Sequence, residues 1–439
     1  METEKNELLD GIADSFDFEG EVYTFSVPQP DDYGLIWYYR EEMNGDVLND
    51  AIYTRNSTVE ERFNVAIDAR MDGWSPSQFE ALSPLIMSGD DSVDLIGLTY
   101  QQSGTAVIGA GLTRHWNDVP YIDLEKPYWD SNFNDMFNVR GKHLLISGDY
   151  NWTCRRFSTV LYFNKHVAEN YAVPDLYQTV LEGRWTLDLM HATAADISSD
   201  LNGDGAWDEN DQYGLIQNLI GSLHGYQIST DNIQAEMTDD GPVQNLVTDK
   251  IVSVSEKLKD MIWNDHTTYA EGFDWAKDSL GIPIFFGDRA LFLCAYLKYA
   301  EEFRELEGSY GIIPLPKYDE TQKNYQTQRD QWGLSLAIPK SVSDITFIGV
   351  ITEALCSSTA LHVIDAYYDV VLPGKELRDE ESIEMMQIIF DNIVYDWGIC
   401  AGQGILSPVV RDNLDFSSYA KKNEKIFLKG LKKWYEAAQ

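Results

Sequence analysis

Short apolar strands alternate with helices along the first third of the chain, and this alternation restricts the folds that the sequence can adopt. Residues 22–27 and 93–98 have the composition of strands, and residues 59–67 run from the end of a helix into another strand. Residues 78–88 have the pattern of a helix. Strands separated by helices predict a mainly parallel sheet with helices on its faces. Because 439 residues exceed what one hydrophobic core usually supports, we expect two lobes.

The later segments extend the same mixture of elements. The sequence predicts strands at 159–163, 310–313 and 334–338, and helices at 290–306, 344–356, 380–391 and 419–436. No internal repeat accompanies them. The pattern therefore predicts an α/β protein rather than an all-helical or repeat architecture.

Residues 200–211 have the spacing of a calcium loop. A hard cation takes six to eight oxygen ligands at about 2.3–2.6 Å, and a tight turn can supply them only if its backbone bends sharply at the sixth position, here Gly205. The predicted ligands are the side chains of Asp200, Asn202, Asp204 and Asp208, the carbonyl of Ala206, and a closing carboxylate from Glu209 or Asp211. The alternative is a plain acidic turn, since a chain with 72 Asp and Glu residues contains some clusters by chance.

The flanks of the loop indicate the role of the ion. Residues 186–198 before it have the apolar spacing of an amphipathic helix, and residues 213–216 after it begin a short apolar strand. A sensor built from paired helices would need a second helix and exposed apolar surface. We therefore interpret Ca²⁺ as a structural cofactor that staples a helix to a strand.

The formal net charge of −39 argues against binding nucleic acid or anionic lipid through a basic patch, and it favours a neutral or cationic ligand. No stretch approaches the roughly 18 consecutive apolar residues of a membrane span, so a soluble chain is expected. The first six residues lack the apolar core of a signal peptide, which indicates either a cytosolic protein or one whose export segment was removed. The four cysteines have no metal or redox spacing and are expected to be buried apolar residues, with a disulfide among the last three left open.

An ordered series of segments resembles the extracellular solute-binding proteins that deliver oligosaccharides to ABC importers, the class of the maltose-binding protein. The segments, spread over residues 20–435, are 56–64 (NSTVEERFN), 94–96 (DLI), 161–165 (LYFNK), 183–188 (GRWTLD), 211–214 (DQYG), 286–292 (FGDRALF), 310–317 (YGIIPLPK), 367–368 (YY) and 378–382 (RDEES). A similar acidic loop occurs in alginate-oligosaccharide-binding members, where the Glu after the ninth-position Asp is a ligand. This analogy favours Glu209 over Asp211 as the closing ligand.

The resemblance implies a two-lobed periplasmic-binding-protein-like fold of type II, with a ligand cleft between lobes joined by crossing strands. We expect crossings near 148–153, 272–282 and 338–345. Lobe 1 would contain 1–150 and 283–338, and lobe 2 would contain 151–282 and 339–439, including the calcium loop. Ligand would close the cleft by a hinge motion.

Sugar binding requires flat apolar rings and planar polar groups, and the chain has 12 Trp and 25 Tyr residues. Loops after the carboxyl ends of parallel strands face the crevice in open α/β sheets. Position relative to predicted strands and crossings therefore selects the candidate ligand-binding residues Asp31, Asp32, Tyr33, Tyr100, Gln101, Tyr150, Asn151 and Trp332. The resemblance adds Trp397, because members of this class often supply a stacking ring from the C-terminal part of the chain.

The predicted function is an oligosaccharide receptor that serves the membrane permease of an ABC importer. We expect a monomer without enzymatic activity or nucleic-acid partner, located outside the cell or at its surface and lipid-anchored after export. One alternative is a secreted, calcium-stabilised glycoside hydrolase or lyase, since paired carboxylates cannot be read from sequence, although no Gly-x-Ser-x-Gly, His-Glu-x-x-His or phosphate-loop motif occurs. A second is a calcium-dependent adhesive module, although such modules usually repeat the loop.

Overall fold

The computed structural model describes residues 10–28, 35–73, 77–99, 108–219, 221–271, 281–303, 309–330, 333–371, 380–402 and 404–438. The strands are β1 (Glu21–Val27), β2 (Val65–Met71), β3 (Leu95–Thr99), β4 (Thr113–Arg114), β5 (Asn138–Val139), β6 (Lys142–His143), β7 (Thr159–Asn164), β8 (Tyr213–Asn218), β9 (Ala235–Thr238), β10 (Gly241–Gln244), β11 (Thr268–Glu271), β12 (Ala290–Tyr296), β13 (Tyr310–Ile313), β14 (Thr327–Gln328), β15 (Leu334–Pro339) and β16 (Ile393–Val394).

The α-helices are α1 (Val47–Phe63), α2 (Ser77–Ser88), α3 (Ser131–Met136), α4 (Lys165–Asn170), α5 (Leu176–Leu181), α6 (Leu187–Ile197), α7 (Gly221–Ser229), α8 (Asp249–Lys259), α9 (Gly281–Phe286), α10 (Tyr299–Phe303), α11 (Ile345–Val371), α12 (Glu380–Asp391), α13 (Trp397–Gly402), α14 (Leu406–Arg411) and α15 (Phe416–Ala437). Several begin at an Asp or Thr whose side chain accepts a main-chain N–H of the first turn, as Asp46 does for α1 and Thr186 for α6.

Two five-stranded sheets form the centres of two lobes. The first sheet has the order β2-β1-β3-β15-β4, and the second has the order β11-β8-β12-β7-β13. In the first, β1 runs parallel to β2 and β3, while β15 is antiparallel to β3. In the second, β8 runs parallel to β11 and β12, while β7 is antiparallel to β12 and β13. The strands of the first third, β1, β2 and β3, are parallel as expected, but two of the four pairings in each sheet are antiparallel, so neither sheet is mainly parallel.

The predicted helix at 290–306 is wrong, and this error changes the lobe boundaries. Residues 290–296 form β12, which pairs with β7 and β8, so β12 and β13 belong to the second sheet and not to the predicted lobe 1. The run is apolar throughout, as a strand buried on both faces must be, and such a run cannot be distinguished from a buried helix by periodicity.

Helix α11 was assigned to lobe 2 from its sequence position, but it packs against the first sheet. The Tyr23 hydroxyl of β1 lies 2.7 Å from the Thr352 hydroxyl of α11, and the rings of Tyr23 and Phe347 are 5.8 Å apart. The stretch Ile345–Tyr368 is long and apolar enough to cross a membrane, yet 83% of its apolar window is buried inside the protein. These contacts place the first half of α11 in the core of the first lobe, while Val363 and Tyr367 near its other end belong to the hydrophobic cluster of the second sheet.

Two neighbouring segments connect the sheets and form what we call the hinge pair, residues 146–158 and the described residues 329–330 and 333–336. Ile146 forms an antiparallel bridge with Leu336 at the first sheet, and Ser158 forms one with Arg329 at the second. The first crossing agrees with the predicted 148–153. The last crossing lies before β15 rather than at 338–345, and residues 272–280 of the remaining predicted crossing are outside the described part.

The four cysteines are buried and free, so the disulfide left open by the sequence does not form in this structure. Burial raises the pKa of the Cys154 thiol to about 11 and that of the Cys294 thiol to about 12. Both thiols are therefore protonated at neutral pH, as expected for apolar packing residues.

Three buried carboxyls predict that stability falls as pH rises above 6. Burial, opposed by hydrogen-bond donors, raises the pKa of Asp94 and Glu353 to about 7 and that of Asp396 to about 6. A carboxyl with a higher pKa in the folded chain stabilises the fold when protonated, so its contribution is lost as pH rises through the folded-state pKa. Repulsion within a chain of net charge −39 also grows with pH, and both effects act in the same direction.

We therefore expect a higher melting temperature at pH 6 than at pH 8, measured by circular dichroism at constant ionic strength. Burial lowers the pKa of His115 and His143. These rings are protonated more readily in the unfolded chain than in the folded one, so they destabilise the fold only below pH about 6.5 and do not affect this comparison. The Glu353→Gln and Asp396→Asn variants should show a flatter pH dependence. A melting temperature that rises from pH 6 to pH 8 would contradict the prediction.

Candidate functional site

A cavity of about 350 Å³ lies beside the hinge pair, where the two lobes meet. The segment before and into α3 lines one side, the crossing residues 148–155 line the base, and the end of α12 with β16 lines the other side. The polar and aromatic groups that face it include Trp129, Asp130, Asp149, Arg155, Arg329 and Phe390. This cavity is the candidate functional site.

The base of the cavity is a 3-10 helix at Asp149–Phe157, whose backbone is kinked at Asn151. The Asn151 side chain stabilises the kink because its oxygen accepts the Gly148 N–H at 2.8 Å and its nitrogen donates to the Leu334 carbonyl of the neighbouring hinge segment. Asn151 is fully buried. It therefore connects the two hinge segments rather than presenting a free amide to the cavity.

An ion pair lies on the helix at the base. Arg155 Nη2 donates to Asp149 Oδ1 at 2.7 Å, and Arg155 Nη1 donates to the Tyr368 hydroxyl at 3.3 Å. Burial opposes the charge, but Asp149 keeps the pKa of the Arg155 guanidinium above its ordinary value. The guanidinium also lies 5.3 Å from the ring centroid of Phe390 on α12, so Arg155 links the base of the cavity to the α12 side of its wall.

A second polar cluster joins the other hinge segment to both walls. Arg329 Nη1 donates to Asp130 Oδ2 and, at 2.9 Å, to the Tyr395 hydroxyl, while that hydroxyl donates to Asp130 Oδ2 at 2.7 Å. Asp130 also caps α3 by accepting the Phe133 N–H at 3.1 Å. The charged side chains are only 8% and 15% exposed for Arg329 and Asp130, so the pair lies in a partly dry environment where removing one partner is costly.

Trp129 is held in the cavity wall from two sides. Its indole N–H donates to Glu353 Oε2 at 3.0 Å, and the neighbouring Tyr128 hydroxyl donates to Glu353 Oε1 at 2.6 Å. Its ring packs on Gly148, where an added Cβ would lie 2.4 Å from Trp129 Cε3. Glu353, on α11, therefore positions this wall from the first lobe.

The carboxyl end of β8 carries a polar pair that sequence reasoning missed. Gln217 is fully buried, and among the described residues neither its amide oxygen nor its amide nitrogen has a hydrogen-bond partner. At the same edge, the Tyr296 hydroxyl at the end of β12 donates to Asp330 Oδ2 at 2.7 Å. The signal was available, since Gln217 and Asn218 end an otherwise apolar strand at the edge where α/β sheets bind ligands.

The structure places three of the predicted ligand-binding residues in the core. Tyr150 and Asn151 are fully buried on the crossing helix, and Tyr150 packs against Phe25 at 5.2 Å. Trp397 is 3% exposed and lies 4.7 Å from Phe137 and 5.2 Å from Trp434, centroid to centroid. Tyr150 and Asn151 lie on a crossing as predicted, but the side chains of all three residues point into the core. The remaining candidates, Asp31, Asp32, Tyr33, Tyr100, Gln101 and Trp332, lie outside the described residues.

The acidic loop joins α6 to β8, as the helix and strand predicted on its two sides require. Asp200 accepts the N–H groups of Gly203 at 2.7 Å and Gly205 at 2.9 Å, and both glycines have positive φ. Asn202, Asp204 and Asp208 each accept the N–H two residues further on. These bonds turn the backbone in the sense that a cation loop needs.

The two proposed closing carboxylates differ in environment. Asp211 is fully buried and accepts the N–H groups of Leu201 at 3.0 Å and Asp208 at 2.9 Å, whereas the Glu209 side chain is exposed. The oxygen-only donor set fits Ca²⁺ in its chemistry. In this conformation, however, no three Asp, Glu, His or Cys side chains of the described residues are grouped closely enough to hold a metal ion.

Comparison with known proteins gives matches at the level of structure. The ABC substrate-binding protein Lmo0181 from Listeria monocytogenes, in complex with cycloalternan, matches with a TM-score of 0.59 and 13% identity over 93% of this chain and 98% of that chain. The maltose/maltodextrin-binding domain MalE from Bdellovibrio bacteriovorus, bound to maltotriose, matches with a TM-score of 0.53 and 14% identity over 95% of this chain and 97% of that chain. A cyclo/maltodextrin-binding protein complexed with maltotetraose matches with a TM-score of 0.60 and 11% identity over 93% of this chain and 97% of that chain.

No family model and no curated protein sequence matches the chain. At identities of 11–14%, the structural matches show the fold alone. The chain has the two-lobed α/β fold of these solute-binding proteins, which confirms the predicted fold class and the resemblance on which it was based.

Proposed function

We propose that this chain, which has the two-lobed fold of extracellular solute-binding proteins, is a receptor that captures an oligosaccharide by lobe closure and delivers it to the permease of an ABC importer. The observation that carries the proposal is the cavity at the hinge pair. It combines ionic hydrogen-bonding groups with the aromatic rings of Trp129 and Phe390, the two kinds of surface that a sugar needs. It also lies between the lobes, where a ligand gains contacts from closure.

A neutral oligosaccharide suits this site better than an acidic one. The chain has a net charge of −39, and the cavity contains Asp130, Asp149 and Asp391, which repel a carboxylated sugar. Its two arginines, Arg155 and Arg329, are already paired with acids. The fold relatives described above were solved with cycloalternan, maltotriose and maltotetraose, so glucose oligosaccharides are the first ligands to test.

Export and a lipid anchor complete the proposal. A receptor for an importer must meet its solute outside the cell, and an anchored monomer stays near the permease. Radiolabelled palmitate incorporation in the native host tests the anchor, and an unlabelled, fully secreted protein would contradict it.

We expect a neutral maltodextrin to raise the melting temperature and to shrink the protein in solution. A ligand present at about 100 times its Kd and bound only by the folded state stabilises it by about 2.7 kcal/mol. Differential scanning fluorimetry measures the stabilisation, small-angle X-ray scattering measures the radius of gyration, and chromatography of the recovered sugar tests whether it is intact. Stabilisation by an acidic oligosaccharide alone would contradict the ligand class. Conversion of the sugar would support the carbohydrate-active enzyme instead.

We propose further that the loop at 200–211 binds a structural Ca²⁺, with Glu209 as the closing ligand. The buried Asp211 already serves two main-chain N–H groups, whereas the exposed Glu209 carboxylate can turn toward the loop. The loop precedes the amino end of β8, while the hinge pair lies at the opposite edge of the sheet. This separation supports a role in stability rather than in ligand binding.

Removal of calcium is expected to lower the melting temperature by several degrees while the sugar affinity changes less than twofold. An Asp204→Asn/Asp208→Asn variant should lose the stabilisation by calcium, because each change removes a charged oxygen ligand. The charge-matched control is Asp239→Asn/Asp240→Asn on the exposed β9–β10 turn, which should keep it. An unchanged melting temperature in chelator would remove calcium from the proposal, and a lost sugar affinity would contradict its purely structural role.

A further inference from the structure

The last helix, α15, carries an unusual concentration of positive charge for this protein. Its 22 residues contain six lysines and two glutamates, in a chain of net charge −39. The lysines, which we call the basic face, are Lys421, Lys422, Lys425, Lys429, Lys432 and Lys433. All six are exposed, and within the described residues none of them forms a salt bridge.

Helix geometry gathers these side chains onto one side. At about 100° per residue, the six positions fall within an arc of about 120° along roughly three turns. The buried residues Phe427, Leu431 and Trp434 lie on the opposite side, where they pack into the second lobe. The basic face therefore points away from the protein and cannot be explained as a partner of its own core.

The rest of the surface makes this placement distinctive. Ten Lys and Arg residues are exposed among the described residues, and six of them are the basic face. A seventh, Arg140, lies with its guanidinium 5.4 Å from the ring centroid of Tyr435 on α15, so it extends the same surface. The other three, Arg184, Lys323 and Lys340, lie elsewhere on the chain, and Arg184 is paired with Glu182. Exposed positive charge is thus concentrated on one helix rather than dispersed.

We propose that the basic face of α15 docks the protein onto an anionic lipid bilayer. Four to eight Lys or Arg residues on one side of an amphipathic helix are the pattern that attracts anionic headgroups, and a planar array of phosphates suits six parallel ammonium groups. Ile426, at the margin of the face, is 73% exposed and would contact the headgroup region. An acidic protein segment would contact only part of the length of the basic face, so a bilayer accounts better for all six lysines.

The acidic remainder of the protein does not prevent this contact. At physiological salt, charges farther than about 8 Å from the bilayer are largely screened, so the groups nearest the helix decide the interaction. The acids on or beside α15 include its N-cap residue Asp415, Glu424, Glu436, Asp239 and Asp240. Glu436 lies within the arc of the basic face and offsets one of its six charges, and the Tyr435 hydroxyl donates to the Asp239 carbonyl on one flank. This local arrangement revises the argument from total charge, which excluded a basic patch because it averaged over the whole chain.

Vesicle sedimentation tests the proposal with the complete chain. The protein is expected to sediment with vesicles of phosphatidylglycerol and phosphatidylcholine in equal parts, but not with pure phosphatidylcholine, and to be released as salt rises from about 0.05 to about 0.5 M. At about 1 kcal/mol per lysine, Lys425→Gln/Lys429→Gln should weaken the affinity on the order of 25-fold. The matched control, Lys323→Gln/Lys340→Gln, removes the same charge elsewhere and should change the affinity less than threefold.

Glutamine has nearly the helix propensity of lysine, so the variants should fold, and equal melting temperatures verify this. Three outcomes overturn the proposal: no preference for anionic vesicles, an equal loss in both double variants, or binding of soluble polyglutamate without binding of vesicles. The last would identify an acidic protein as the partner. Sugar binding in the cleft is measured separately, so failure of the docking surface leaves the proposed receptor function intact.

Discussion

The Arg329→Met variant is expected to lose about 3 kcal/mol of unfolding free energy and at least tenfold in ligand affinity. Arg329 is the cation of a nearly dry cluster with Asp130 and Tyr395, and removing one partner of such a pair leaves a charge without compensation. Asp130 keeps the Phe133 N–H and the Tyr395 hydroxyl as donors, which places the loss near the lower end of what buried pairs show. Urea unfolding and isothermal titration calorimetry with the identified ligand measure the two effects.

A matched pair and a double variant make this result specific. Arg411 pairs with Asp412 at 2.7 Å, but both side chains are more than 40% exposed, so Arg411→Met should cost at most about 1 kcal/mol. Adding Asp130→Asn to Arg329→Met removes the uncompensated charge and should restore more than half of the lost stability. If Arg329→Met lowered the free energy of unfolding no more than Arg411→Met does, the Arg329–Asp130–Tyr395 cluster would not stabilise the hinge pair.

The Glu353→Ala variant is expected to lose about 3–5 kcal/mol and to loosen the Trp129 wall of the cavity. The carboxylate accepts from the Tyr128 hydroxyl, the Trp129 indole and the Asp123 N–H, and each buried donor without an acceptor costs about 1–3 kcal/mol. Because Trp129 faces the cavity, ligand affinity should fall together with stability. Chemical unfolding, calorimetry and the indole fluorescence spectrum report these changes.

Glu353→Gln is the informative companion, because it keeps one strong acceptor and nearly the same shape. It should lose about 1–2 kcal/mol, less than half of the effect of the alanine. Glu236→Ala on the exposed side of β9 controls for the loss of one acid and should stay within about 0.5 kcal/mol. Unchanged ligand affinity in Glu353→Ala would show that Trp129 does not contribute to binding.

The sequence predicted individual helices and strands better than it predicted which of them pack or pair together. The strands at β7 and β13, the long C-terminal helices and the helix–loop–strand around 200–211 were predicted because local periodicity and turn chemistry specify them. The run 290–296 was misread as a helix because its apolar residues satisfy either period, and only pairing with β7 and β8 decides between them. The predicted lobe boundaries are wrong for the same reason, because they depend on which strands share a sheet.

The candidate site shows the same division. Position on a crossing predicted Tyr150 and Asn151, and the resemblance predicted Trp397, but all three side chains are buried in the structure. The roles of Glu353 and Arg329 could not be predicted from the sequence, because they depend on partners that are distant in the chain. Trp129 is 224 residues from Glu353, and Asp130 is 199 residues from Arg329. Gln217 had a local signal, a polar pair at the end of an apolar strand, which was not used.

By itself the sequence determined the α/β class, the two-lobed fold through its ordered motifs, and the spacing of the acidic loop. Each of these depends on residues close together in the chain, where helix and strand periods and turn preferences act. Only the tertiary structure decided which strands share a sheet, which aromatic rings are core, how the hinge pair surrounds a cavity, and that six lysines are the main exposed cations. Those features arise from long-range pairing and burial, which bring distant residues together and which a linear pattern does not encode.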